Sequence, residues 1–274
     1  MACTTRRRPE GRPVRIVAVV NQKGGVGKTT VAVNLGHALA RRGLRVLLID
    51  LDPQGHLVEC LGVHPAPRHG VDEVLLAAAE PARFVVPVRE RLSLLPAGER
   101  LGDFGDGERG VHLALSLQRA LRARHLDYDV AVIDSPPAAG LLAVNAMLAA
   151  DELLVPVAGD YLALTGLARL LLTLKRLQSW SGQAPRKRIL RSRFQPRRRL
   201  SGEVQARLEQ HFGDDLLSAS ITEAAALAEC AALGRTIFEH RCNGKAAREF
   251  ERLAAELLSA EEPQREQQET THVA

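Results

Sequence analysis

The chain is poor in aromatic residues. Phe, Trp and Tyr together make up 3% of its 274 residues, yet its hydrophobic content is 46%. A core must therefore be built mainly from Leu, Val and Ala. Cysteine is also scarce. Cys3, Cys60, Cys230 and Cys242 lie far apart, with no C-x-x-C pair. That spacing speaks against a cysteine-ligated metal, and all four read as ordinary buried or surface thiols. No apolar run reaches the roughly 18 residues needed to cross a bilayer as a helix. The start carries Arg6-Arg7-Arg8 but no apolar stretch ending in a cleavage site, and so does not read as a convincing signal peptide. There is no internal repeat.

What is present begins with Lys23-Gly24-Gly25-Val26-Gly27-Lys28-Thr29-Thr30. An apolar run, Ile16 to Val20, precedes it. A stretch with helical spacing follows, through Val31, Leu35, Ala38 and Leu39 to Gly43. Strand, glycine loop and helix are the context of a phosphate-binding loop. Glycines allow the backbone to close around an anion, and the free N–H groups of the helix start point at it. Lys28 supplies positive charge for β and γ phosphates, and the Thr29 hydroxyl is placed for Mg²⁺. The common pattern has a glycine where this chain has Gln22, and then adds a second lysine, Lys23. That lysine is either a solvated side chain at the loop mouth or a cation reaching a phosphate, including one held across a subunit interface.

Two further apolar runs end in carboxylates. Val46 to Ile49 leads into Asp50-Leu51-Asp52-Pro53-Gln54-Gly55, and Val130 to Ile133 leads into Asp134-Ser135-Pro136-Pro137. Both are short, rich in branched residues and without alternation, as in parallel strands buried on both faces. Ligands of open α/β sheets bind beyond the carboxyl ends of the strands. Asp134 is assigned to the Mg²⁺ shell through water. Asp52 is assigned to orienting the attacking water, with a water-mediated share of the metal shell. For Asp50 the residues alone leave a purely structural role open. Lys23, Lys28 and Asp52 form the candidate catalytic set, and residues 23–30 the candidate ATP loop.

The predicted fold class is α/β: a P-loop NTPase-type, mostly parallel twisted sheet with helices on both faces, in a single domain. Residues 1–13 read as a disordered basic tail, 14–258 as the domain and 259–274 as a polar tail. The patterns predict helices over 71–79, 111–124, 141–149, 164–178, 202–212 and 245–258, and a strand over 92–95.

Taken together, the 23–30 loop, Asp50 to Gly55 and Ile133 to Pro137 resemble the ParA/MinD family of deviant Walker ATPases, most closely its ParA (Soj-like) branch. The resemblance continues through Asn145 to Asp151, Val155-Pro156-Val157 and Leu164-Thr165-Gly166-Leu167. It covers about residues 14 to 258, strongly up to Leu172 and weakly beyond. It implies an ATP-dependent homodimer in which Lys23 contacts the other subunit's nucleotide. It implies slow ATP hydrolysis with Mg²⁺, stimulated by a ParB-type partner. It implies non-specific binding to double-stranded DNA and a cytoplasmic, nucleoid-associated place in the partition of chromosomes or plasmids. A protein cargo in place of DNA is the rival reading.

The net charge of +5 is concentrated. Arg186, Lys187, Arg188, Arg191, Arg193, Arg197, Arg198 and Arg199 fall within fourteen residues. They read either as a solvated surface or as a DNA-binding patch driven by counterion release. Arginines in a buried strand are costly unless paired, so the strand here is expected to be short or near an edge. The family's Pro-Arg signature is replaced by Ile221 to Cys230, which leaves the base contacts unassigned. A MinD-like membrane role would need a C-terminal amphipathic helix. The Glu- and Gln-rich end offers none. A redox ATPase would need cysteines near Ser135, and none is there. The Asp-Pro-Gln-Gly and Asp-Ser-Pro-Pro motifs speak against a small-molecule kinase.

Overall fold

The computed structural model describes residues 14–104, 113–123, 126–137, 140–182, 184–195 and 198–259. Eight strands form one sheet: β1 (Arg15–Val19), β2 (Val46–Asp50), β3 (Val86–Arg89), β4 (Leu92–Leu95), β5 (Val130–Asp134), β6 (Glu152–Val157), β7 (Arg186–Phe194) and β8 (Leu216–Thr222). Their order is β3-β4-β2-β5-β1-β6-β7-β8, parallel throughout except where β3 runs antiparallel to β4. The helices are α1 (Lys28–Arg41), α2 (His56–Cys60), α3 (Val71–Leu76), α4 (Ser116–Arg122), α5 (Leu141–Ala149), α6 (Tyr161–Ser181), α7 (Arg199–Phe212), α8 (Ala225–Ala232), α9 (Ile237–His240) and α10 (Lys245–Ser259).

Strand alternation divides the core into two layers. Ile16 and Ala18 of β1 pack with α3 to α7 on one face. Val17 and Val19 pack with α1, α2 and α8 to α10 on the other. Successive side chains of a strand leave opposite faces, so one short apolar run feeds both layers. This is why β1, β2 and β5 read as continuous apolar runs. The architecture is the predicted one, a parallel sheet with helices on both faces.

Several boundaries match the sequence reading. Leu92–Leu95 and Leu141–Ala149 form as expected, and the last helix extends one residue further, to Ser259. The 164–178 helix starts earlier, at Tyr161, because Asp160 caps it: its carboxylate accepts from the Ala163 N–H at 3.0 Å. The 71–79 helix stops at Leu76. Of the 111–124 helix, Ser116–Arg122 forms; residues 111, 112 and 124 lie outside the described residues. Both tails, 1–13 and 260–274, lie outside them too.

Of the two alternatives for β7, short or near an edge, the first is corrected and the second holds. At nine residues it is the longest described strand, and it lies one position in from the β8 edge. Arg188 is buried within it. Its counter-charge is Glu152 on the neighbouring strand, 3.8 Å from the Arg188 Nε, too far for a hydrogen bond, and 2.7 Å from Arg15. One carboxylate thus serves two strand arginines. Burial, with Arg186 nearby, lowers the Arg188 pKa, and Glu152 opposes this.

Candidate functional site

The loop between β1 and α1 folds as the glycines predict. Gly25 and Gly27 have φ of 74° and 89°, a left-handed backbone that side chains disfavour. Gly27 is the N-cap of α1 and offers no side-chain cap, so the first N–H groups of the helix are left without an acceptor inside it. Ser192 of β7 closes the back of the loop by donating to the Val26 carbonyl at 2.9 Å. Asn21 fixes the entry: its amide donates to Pro156 O at 2.7 Å, and its carbonyl accepts from the Lys23 N–H at 2.9 Å.

Lys28 is buried at the first position of α1, with its Nζ 3.4 Å from the Lys23 carbonyl. Burial lowers its pKa; Asp134 and then Asp52 pull it back up. Those two carboxylates come from the ends of β5 and β2, which pair in register so that Asp50 lies opposite Asp134. Asp134 is fully buried, and neither of its oxygens has a hydrogen-bond partner. Burial raises its pKa to about 7, against the pull of Thr29 and Lys28. An orphaned buried carboxylate beside a hydroxyl and an ammonium suits the water shell of a divalent cation. Mg²⁺ therefore fits Thr29 and Asp134.

Asp50 is structural. Its two oxygens accept from the Asp52 N–H at 3.0 Å and the Leu57 N–H at 3.1 Å, which shapes the loop that presents Asp52. Burial first, and Asp134 second, push its pKa well up. Asp52 lines the cavity over the phosphate loop, together with Gly24, Gly25, Lys28 and Thr29. That cavity is about 700 Å³. Its far wall is apolar, formed by Ile221, Ala224, Leu227 and Ala228.

Lys23 is held by Asp160, Nζ to Oδ1 at 2.5 Å. Sequence reasoning missed Asp160, although it follows β6 just as Asp52 follows β2. The same rule applied to Val157-Ala158-Gly159-Asp160 would have found it.

The basic run does not form one patch. Arg188 is in the core. Lys187 pairs with Asp215 at 3.0 Å. Arg191 donates to the Leu217 and Ser218 carbonyls at 3.3 and 2.9 Å. Arg193 lies over the phosphate loop. Arg186, Arg198 and Arg199 are exposed, and Arg197 lies outside the described residues.

A parallel sheet whose first strand leads through a glycine loop into a helix, with acids at the ends of the adjacent strand β5 and of β2 beyond it, defines a P-loop NTPase fold. Comparison with known proteins narrows this. Residues 14–184 match a family described as an AAA domain. The chain is 39% identical over 249 residues to the chromosome-partitioning ATPase Soj of Thermus thermophilus, covering 90% of this chain and 96% of that one. It superimposes with a TM-score of 0.79 on a putative plasmid partition protein from Borrelia burgdorferi bound to AMPPNP, 22% identical, over 91% of this chain and 100% of that one. The septum site-determining protein MinD of Pyrococcus horikoshii, complexed with Mg-ADP, gives a TM-score of 0.72 at 26% identity over 89% and 96%. The chain belongs to the ParA/MinD family, in its Soj-like branch.

Proposed function

We propose that the chain is an ATPase switch. It binds ATP and Mg²⁺, closes into a homodimer, binds double-stranded DNA without reading its sequence, and partitions chromosome or plasmid DNA with a ParB-type partner. The observation that carries the ATPase reading is the buried, unpartnered Asp134 carboxylate beside Thr29 and Lys28, under a glycine loop. The partitioning role rests on the likeness to Soj of Thermus thermophilus.

In this reading Lys28 and the α1 N–H groups bind the phosphates. The Thr29 hydroxyl and Asp134 hold Mg²⁺, which lends charge to the phosphate oxygens. Asp52 orients the attacking water, its carboxylate poised by the Gln54 N–H at 3.1 Å. Lys23 leaves Asp160 to meet the partner subunit's nucleotide. The product is ADP and phosphate, formed slowly until a partner stimulates it. The protein is cytoplasmic and gathers on the nucleoid. No helix among the described residues is long and apolar enough to cross a membrane.

The test is binding to random-sequence duplex DNA with ATP, with ADP and without nucleotide, across a salt series, for wild type and Lys23→Ala. Binding only with ATP, lost in the variant and falling steeply with salt, is expected. A second reading, a protein cargo in place of DNA, is favoured by the burial of Arg188 in the core and by the engagement of Lys187 with Asp215 and of Arg191 with β8 carbonyls. No DNA binding under any condition would select it.

A further inference from the structure

Strand β7 ends irregularly where the cavity begins. Its register against β8 shifts between Ser192 and Phe194. Arg193, at that shift, has φ of 51°, a conformation costly for any residue with a side chain. Bulges and strained residues of this kind re-aim side chains beside functional sites. Here the guanidinium is aimed across the phosphate loop. Its Nη1 donates to the Gly25 carbonyl at 2.6 Å, and its Nη2 to Glu223 Oε1 at 2.7 Å. Its stem runs along Gly27: a Cβ added there would lie 3.9 Å from Cγ and 4.0 Å from Cδ.

Arg193 and Glu223 both line the cavity, between the phosphate loop and the apolar wall. A guanidinium has five N–H donors in a rigid fork. Gly25 and Glu223 take one each, and about half of the side chain remains exposed, so donors are left for a ligand. Glu223 is itself held ionised by Arg193 and Gln195, which keeps the fork oriented. The planar fork matches phosphate oxygens better than an ammonium does.

We propose that Arg193 is a nucleotide-contacting residue, a cation supplied by the chain's own β7 that donates to the phosphates of the nucleotide in the 23–30 loop. The proposal rests on the ATP-site reading and removes Arg193 from the DNA-facing set.

The test is displacement of a fluorescent ADP, with Mg²⁺, by ADP and by inorganic tripolyphosphate. The proteins are wild type, Arg193→Met, Arg193→Lys and Lys28→Ala, each checked for fold by circular dichroism. Arg193→Met is expected to weaken both competitors about tenfold or more, the usual scale for one charge-assisted hydrogen bond. Arg193→Lys is expected to restore part of the loss. If the Met variant misfolds, the Lys variant decides: weakened binding of both competitors upholds the contact, and wild-type binding overturns it. Equal affinities in Arg193→Met and wild type overturn the proposal. Weakened ADP with unchanged tripolyphosphate places Arg193 on the base or sugar and also overturns it. Lys28→Ala separates the two levels of inference. If wild type binds and Lys28→Ala does not, the ATP site stands whatever Arg193 does; if wild type binds neither competitor, both readings fall.

Discussion

Asp134 is where the charge balance of the site is most exposed to measurement. Its carboxyl has a pKa of about 7 in the folded chain, far above its ordinary value, because burial outweighs the pull of Thr29 and Lys28. Between those two values the unfolded chain gives up a proton that the folded chain keeps. The group's contribution to stability is therefore lost as pH rises toward 7, and then levels off. We expect the melting temperature of nucleotide-free wild type, relative to Asp134→Asn, to fall between pH 5 and pH 8. A constant or rising difference would refute this. Asp160 carries two roles at once, helix cap and Lys23 partner. Asp160→Ala should cost about 1 kcal/mol in urea denaturation through the lost cap. The motifs made Lys28, Thr29, Asp52 and Asp134 legible because each lies within or just beyond an apolar run. Asp160 was within reach of the same rule, but its pairing with Lys23, 137 residues away, was not, nor was the contact of Arg193 with Gly25, 168 residues away.

At the scale of elements, β7 shows how a linear run misleads. Its basic residues look like one cluster when read along the chain. In the sheet they separate into a core arginine, an ion pair with Asp215, backbone donors and a residue over the loop. Periodicity gave no sign of this, because the acid that faces the buried Arg188, Glu152, comes from another strand, β6. Removing that carboxylate leaves Arg15 and Arg188 close together in a dry layer. Glu152→Ala should lower stability by about 3 kcal/mol, read as a shift of the denaturation midpoint; a change near zero would mean that water reaches these arginines. The buried strands β1, β2 and β5 were legible for the opposite reason, since burial on both faces leaves no choice but branched apolar residues. The 202–212 helix starts three residues earlier than its apolar spacing shows, at Arg199. Its opening turn exposes its one large apolar residue, Leu200, and buries a serine, Ser201, so the apolar spacing does not reach it.

For the whole molecule, the sheet gathers the functional side chains at one end and the Glu152 ion cluster at the other. On the proposed role of Asp52 in orienting water, Asp52→Ala given ATP is expected to hold it unhydrolysed and to double in mass by light scattering. Lys23→Ala should stay monomeric under the same conditions. A monomeric Asp52→Ala would reject closure by ATP. The pairing of Lys23 with Asp160 bears on how such a change would travel. Asp160 stands at the head of α6, whose 21 residues make a rod about 30 Å long. The phosphate loop is thus pinned to one end of a lever, along which Leu172 and Trp180 stand exposed. Unpinning Lys23 frees the head of that lever. A tilt of about 10° about its far end would carry the head roughly 5 Å, turning the loss of one ion pair into a displacement of Tyr161 and Leu162, which stand exposed there.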